Sequence, residues 1–459
     1  MAYALDDLGQ AVLNQLYDLV CGCERAMPPA GASFLTWCEP GIPFEPADFD
    51  FATGDVDAAS VENAFEFSRL VDFVPGPGAA HTSDRQRRSY CSNDSARLST
   101  VYGEVLRSAR VVHGGLTPDE RAKVERLGAL LRTTRPVVDV VTGKRRQVTE
   151  NGPLLRAYNE RLAAYQAAVL RCSGSRVAAQ NGGRLDRDAY DGQVESGLAA
   201  WISVGYRDEV DQIDSCLDQL CGRDLVPWRR RLVELLDGAQ LRTVEPDRRF
   251  PYTSPVPARF ASGDCWTGHA FRHYAVDSGL HRRTRSWRAG GDLRFTLAAF
   301  GGEAVFGGET PSAFTVESFE LHLELCPVLI SRPWFYPRLL TSRGWTSNDL
   351  LCDGGDPPAG RLVGYPTTIL FARDLRIESA DFATAYTVLA GRAGEHAGIG
   401  WGPFWLGGHV SRAGRERRCR VEVDSRGLSV PGLQVIGFVN QQLGKSPNPL
   451  PGLDQGRFV

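Results

Sequence analysis

No stretch of 18 consecutive apolar residues occurs in the 459-residue chain, which excludes a helical membrane span. The first twenty residues, MAYALDDLGQAVLNQLYDLV, lack a basic leader and carry an early acidic pair. They read as an amphipathic helix and not as an export signal. No CxxC pair occurs among the eleven cysteines, so the common zinc-finger and thioredoxin spacings are missing. Cys21-Gly-Cys23 has no second half at zinc-finger spacing and reads as buried small hydrophobes. An odd cysteine count without secretory features predicts reduced thiols and a cytoplasmic setting. Neither sign of charge dominates: 52 basic against 55 acidic side chains, for a net −3, give no global pull toward nucleic acid or an anionic bilayer. There is no Walker A loop, no GxGxxG after a strand, no GxSxG elbow and no HExxH pair. No catalytic residue is therefore assigned and no cofactor is expected. The chain has two methionines and far more arginine than lysine, the codon stamp of a GC-rich bacterial genome.

What is present divides by composition. Residues 1–110 begin with a helix over about 5–22 and continue through Pro/Gly-broken segments. Residues 115–240 are helical. Thr117-Pro118-Asp119-Glu120 is a capping box with proline at the first helical position, followed by Leu127, Leu130 and Leu131. Leu155, Tyr158, Leu162, Tyr165 and Val169 recur at spacings of 3 and 4. So do Ile202, Tyr206, Val210, Ile213, Leu217 and Leu220, which predicts a helical hairpin or three-helix bundle. From 245 to 459 strand patterns take over. Phe319, Leu321, Leu323 and Leu325 alternate with Glu320, His322 and Glu324, and PTTILFARDLRIES, RCRVEVD and LQVIGFVNQQL add further strands between Gly/Pro turns. The expected fold class is α+β: an N-terminal helical domain followed by an antiparallel β-sandwich-like domain.

Residues 398–408, GIGWGPFWLGG, mix five glycines with two tryptophans and a phenylalanine. Core strands prefer β-branched residues and solvent loops prefer polar ones. The stretch therefore reads as a glycine-kinked hairpin, paired with FTLAAFGGEAVFGG at 295–308, that presents Trp401, Phe404 and Trp405 to a partner. ISRPWFYPRLLTSRGW at 330–345 reads as a strand exit, because Pro333 cannot continue a ladder. In its functional version, Arg332 and Arg343 bind an anion between Trp334 and Trp345.

Cys265, His269 and His273 are spaced for one helical face, with His281 downstream, which makes them candidate zinc ligands. Their glycine-rich context leans toward strand and turn, where such spacing spreads them too far for one ion. Asp353-Gly-Gly-Asp356 reads as a turn. The arginine-rich stretches 281–288 and 414–420 read as exposed strand faces, and nucleic acid is not an expected partner.

From about 314 to 450, the ordered string Arg332-Pro333-Trp334-Phe335, Trp345, the DGG of 353–355, Tyr365-Pro366-Thr367-Thr368, Gly402-Pro403-Phe404 with Gly407-Gly408, Pro431-Gly432-Leu433-Gln434 and Lys445-Ser446-Pro447-Asn448-Pro449 resembles that of a family of bacterial and filamentous-fungal proteins. No activity is attached to that family, so the resemblance implies a shared β module and no site residue.

The function expected on these grounds is non-catalytic binding or self-assembly, with a protein partner or a second copy meeting the aromatic/glycine face. Two alternatives stand beside it: a membrane-active protein whose hairpins meet a lipid surface, and a metal-dependent hydrolase built on Cys265, His269, His273 and His281.

Overall fold

A computed structural model describes the chain except residues 1–2, 22–32, 55–59, 76–95, 139–142, 181–186, 245–247, 273–296, 301–314, 356–357, 394–396, 413–414, 452–455 and 457. Ten α-helices lie among the described residues. They are α1 Leu5–Cys21, α2 Val61–Val71, α3 Leu98–Ser108, α4 Pro118–Leu131 and α5 Pro153–Gln180. Then follow α6 Arg187–Ser203, α7 Arg207–Cys221, α8 Val226–Gly238, α9 Pro337–Thr341 and α10 Ala380–Ala393. The strands run in chain order as β1 Tyr3–Ala4, β2 Ser33–Phe44, β3 Arg110–Val111, β4 Arg132–Val138, β5 Arg145–Asn151, β6 Gln240–Arg242 and β7 Arg249–Pro251. β8 Ser254–Val256, β9 Thr267–Arg272, β10 Leu297–Phe300, β11 Thr315–Val316, β12 Glu320–Ser331, β13 Trp345–Thr346 and β14 Gly364–Glu378 come next. The last five are β15 Gly398–Trp401, β16 Phe404–Arg412, β17 Arg415–Cys419, β18 Glu422–Val423 and β19 Gly427–Gln442.

The α+β class holds, with antiparallel sheets, but helices and strands are interleaved and the chain does not split into a helical and a β half. The main sheet has seven strands in the order β18-β19-β14-β12-β8, with β2 also on β19 and β9 also on β12. The N-terminal strand β2 thus pairs with β19 near the far end of the chain, Phe34 opposite Asn440 and Phe44 opposite Leu433. Asn440 fixes that junction through its side-chain amide, which donates to the Phe34 carbonyl at 3.3 Å and to Thr36 Oγ1 at 3.0 Å. A second sheet, β10-β15-β16-β17, lies against β2 and β19.

The alternation of β12 is the predicted one: Leu321, Leu323 and Leu325 are buried while Glu320, His322 and Glu324 stay half-exposed. The leucines join α1, α10 and the second sheet in one core. On the opposite face, Val328, Phe371 and Phe438 pack beneath α2 and the Pro46–Ala52 turn of 3-10 helix, in a phenylalanine-rich core. Burial on both faces explains why the middles of β14 and β19 read as continuous apolar runs.

The capping box at α4 forms as predicted, with Thr117 Oγ1 accepting from Glu120 N and Glu120 Oε2 accepting from Thr117 N. The buried face of α4 is Val124, Gly128 and Leu131, whereas Leu130 faces solvent. Gly128 is needed there because a methyl group would press on the Trp228 ring at 2.8 Å. The predicted helix through Ile202 and Tyr206 is two helices, α6 and α7, separated at Val204-Gly205-Tyr206, with Tyr206 left-handed at φ 55°. A third core joins α3, α7 and α8 to the segment 334–340 and to Trp345.

Candidate functional site

The glycine–aromatic hairpin is β15 and β16, turning at Gly402-Pro403. Its rings do not face outward. Trp401, Phe404 and Trp405 are all fully buried, which overturns the expected aromatic docking face. Trp401 packs among Phe382 at 5.3 Å, Phe319 at 5.5 Å and Phe404 at 6.1 Å between ring centroids. The glycines serve close approach: a methyl on Gly400 would collide with Pro40 of β2, which crosses over the hairpin. Gln434 on β19 then clamps the hairpin as a strand would. Its Oε1 accepts from Trp405 N at 2.6 Å and its Nε2 donates to Trp405 O at 3.3 Å. What keeps these rings dry is the subunit's own interior.

The second aromatic candidate is internal too. Arg332, Trp334 and Trp345 are buried. Arg332 does not stack between the indoles to hold an anion; its two terminal nitrogens donate to Pro366 O at 2.6 Å and Val71 O at 2.7 Å. Burial pushes its guanidinium down to about 10 despite the neighbouring Asp72. Arg343 is exposed, apart from this cluster, with Nε 3.4 Å from Asn448 O.

The motif string is largely a set of mutual clamps. Arg332 holds Pro366, Gln434 holds Trp405, and the backbones of Cys352 and Ser446 bond each other at 2.8 and 3.0 Å. The DGG turn forms as predicted, with Asp353 Oδ1 accepting from Gly355 N and Ala359 N at 2.9 Å.

The zinc proposal at 265–281 loses its first ligand. Cys265 is joined to Cys326 of β12 in a disulfide, Cα–Cα 5.7 Å, so it is not a thiolate donor. This also corrects the expectation that all thiols are reduced; six other described cysteines, Cys38, Cys172, Cys216, Cys221, Cys352 and Cys419, are not in disulfides. His269 lies on β9 with its imidazole against Gly174 of α5, beside a cavity of about 100 Å³ under α1. Burial lowers its pKa to about 4, which keeps it neutral. His273 and His281 lie outside the described residues, as do the stretch 281–288 and most of 295–308.

One other group has metal-ligand spacing among the described residues. Glu320 and Glu378 face each other across β12 and β14, with His322 beside them. Each carboxylate already has a cationic partner, Arg272 at 2.8 Å from Glu320 and Arg376 at 3.0 Å from Glu378. The group reads as a cross-strand ion-pair grid on a sheet surface.

Among the described residues, an opening wide enough for a ligand lies behind the hairpin's last two glycines. A cleft of about 820 Å³ runs between the end of α10, Ala397 and Ile399 of the β15 region, and the strand edge 418–422. Two other cavities, of about 100 and 40 Å³, are far smaller. Gly407 and Gly408 have φ of 143° and 87°, backbone that side-chain-bearing residues rarely adopt. A methyl on Gly407 would stand 2.9 Å from Tyr386 Oη and from Val421 Cγ1, so both groups pack against the bare Gly407 backbone.

Tyr386 is the residue that sequence reasoning missed. Its side chain comes from α10, whose buried face is Phe382, Ala385, Tyr386 and Leu389. That 3-and-4 spacing was readable in the sequence and would have placed a helix between β14 and β15. Tyr386 is 5% exposed, lines the cleft, and its hydroxyl has no hydrogen-bond partner among the described residues. Burial pushes its pKa up to about 12. The ring is buried, but the hydroxyl oxygen is not sealed off from solvent, so at the cleft it is open to a ligand or to water. Around the opening stand His409, Arg418, Cys419, Arg420 and Glu422.

No family model matches the chain, and neither the curated proteins nor the solved structures hold a match to it. Among the described residues, no helix is long and apolar enough to cross a membrane.

Proposed function

We propose that the protein is a non-catalytic binding protein and that its ligand occupies the cleft between α10, the β15–β16 hairpin and the strand edge 418–422. The observation that carries this reading is a cleft of about 820 Å³ lined by Tyr386, a largely buried side chain whose hydroxyl makes no hydrogen bond to a described residue. That volume falls in the range of small-molecule sites, which combine apolar walls with a few placed polar groups. The aromatic rings of the hairpin act as the rigid backing of this site and not as its contact surface. The proposed setting is the cytoplasm, on six cysteines outside any disulfide, with Cys265–Cys326 as an internal crosslink whose Cys326 end is fully buried.

The test is a thermal-shift screen of small metabolites against the intact chain and against Ala393→Trp. Ala393 lines the cleft at the end of α10, where an indole would intrude on the opening. Compounds that stabilise the native chain and not the variant support the reading. Stabilisation that survives the variant, or a monomer–oligomer equilibrium that alone accounts for it, refutes it.

A further inference from the structure

The chemistry around the cleft narrows what it can take; this inference rests on the cleft being the binding site. The wall made by Ala390, Ala397 and Ile399 is apolar and offers van der Waals contact to a hydrocarbon surface. Deep in the cleft the Tyr386 hydroxyl keeps its proton at any ordinary pH, so it is available as a donor. Its oxygen and Val421 both pack against Gly407, and Tyr386, Val421, Arg418 and Arg420 all line the one cleft. Among the described lining residues, Arg418 and Arg420 are both exposed, and Glu422 is the one carboxylate beside them. The β16–β17 ladder sets Arg418 opposite His409 and Cys419 opposite Gly408, where no side chain narrows the entrance. Arginine at such a mouth suits carboxylate or phosphate oxygens, because its planar fork can give two parallel hydrogen bonds.

We infer that the cleft binds an amphipathic anion: one carboxylate or phosphate head held between Tyr386 and the Arg418/Arg420 mouth, with an apolar body against the α10–β15 wall. Cationic amphiphiles are disfavoured by the two guanidinium groups. Neutral ones gain only the apolar contact and a weaker bond from the phenol.

Isothermal titration of the full chain with octanoate, octyl phosphate, octanol and octylamine tests this. Octanoate or octyl phosphate is expected to bind once per chain and about tenfold or more tighter than octanol, the scale of one added charge-assisted hydrogen bond. Which of the two anions binds tighter separates a carboxylate from a phosphate source. Arg418→Gln with Arg420→Gln should erase the preference for the anion while leaving octanol affinity unchanged. Tyr386→Phe, which keeps the ring and removes only the donor, should weaken the anion about tenfold with the far-UV spectrum unaltered. Octanol binding as tightly as octanoate, with Ala393→Trp abolishing both, overturns the anionic class and leaves the cleft as the site. Octanoate binding that is indifferent to Ala393→Trp overturns the cleft itself. Binding of none of the four probes overturns the anion inference, and the metabolite screen then decides on the cleft.

Discussion

Replacing Trp401 by alanine separates an inward-facing hairpin from an outward-facing one. The indole is fully buried among Phe319, Phe382 and Phe404. A tryptophan buries roughly 150–250 Å². At about 25 cal/mol per Å² that is about 4–6 kcal/mol, close to the 3–5 kcal/mol typical of large aromatic truncations in cores. The surroundings have little room to collapse, because β2 crosses directly over the hairpin at Pro40 and Gly400. With about 2.1 cal/mol/K of unfolding entropy per residue, 459 residues give on the order of 1 kcal/mol/K. A loss of about 4 kcal/mol then lowers Tm by about 4 °C, and Arg343→Ala, at an exposed side chain, serves as the unshifted control. The assay is calorimetric melting with light scattering on the same samples. An unchanged Tm together with a loss of self-association would refute the reasoning, since it would mean that the ring meets another molecule.

Three further outcomes are expected. Gln434→Leu strips both bonds from the buried Trp405 backbone and should destabilise by about 3 kcal/mol, read as a lower urea midpoint at constant slope. Non-reducing mass spectrometry should show Cys265 linked to Cys326; opening that crosslink across 61 residues should remove up to about 4 kcal/mol on the chain-entropy scale, and no mass difference on reduction would contradict the pairing. Burial raises the Asp72 carboxyl above its ordinary 3.8 against the opposing hydrogen bonds from Ser99. The folded chain therefore holds that proton more tightly than the unfolded one, so this group's stabilising contribution is full below 3.8 and is lost as pH rises through the elevated folded value. Asp72→Asn should remove that slope, so that wild type loses ground to the variant as pH rises above 3.8; a difference that stays constant with pH would sink the assignment.

Features that repeat locally were readable from the chain, and features made by distant segments were not. The strand at 319–325 announces itself because one face stays wet and the pattern alternates. The Thr117 cap is a four-residue signal and formed as read. β2 was hidden, because SFLTWCEPGIPF carries two prolines and a glycine that look like loop punctuation. They are tolerated because Pro40 and Gly41 cross closely over the hairpin at Gly400 and Pro403. The β4–β5 hairpin was missed for a different reason: its arginines and threonines suit a two-stranded ribbon but fall within a stretch of helical periodicity. Of the candidate site, Gly407-Gly408 stood out in the sequence, yet its partner Tyr386 did not. Nothing local says that a tyrosine on a helix will end beside a glycine 21 positions later with its hydroxyl unclaimed.

The pairing of β2 with β19 has a consequence for how the polypeptide is made. Residues 33–44 leave the ribosome early, but the strand that completes their ladder spans 427–442. At translation speeds of about 5–20 residues per second, the early segment waits on the order of 20–80 s for its mate. Throughout that interval its backbone donors and acceptors, and Phe34, Leu35 and Trp37 beside them, stand ready to add to any other unfinished sheet nearby. Overproduction in a fast host should therefore favour inclusion bodies, and slower synthesis at low temperature or surplus holding chaperone should rescue yield without altering a single contact of the finished molecule.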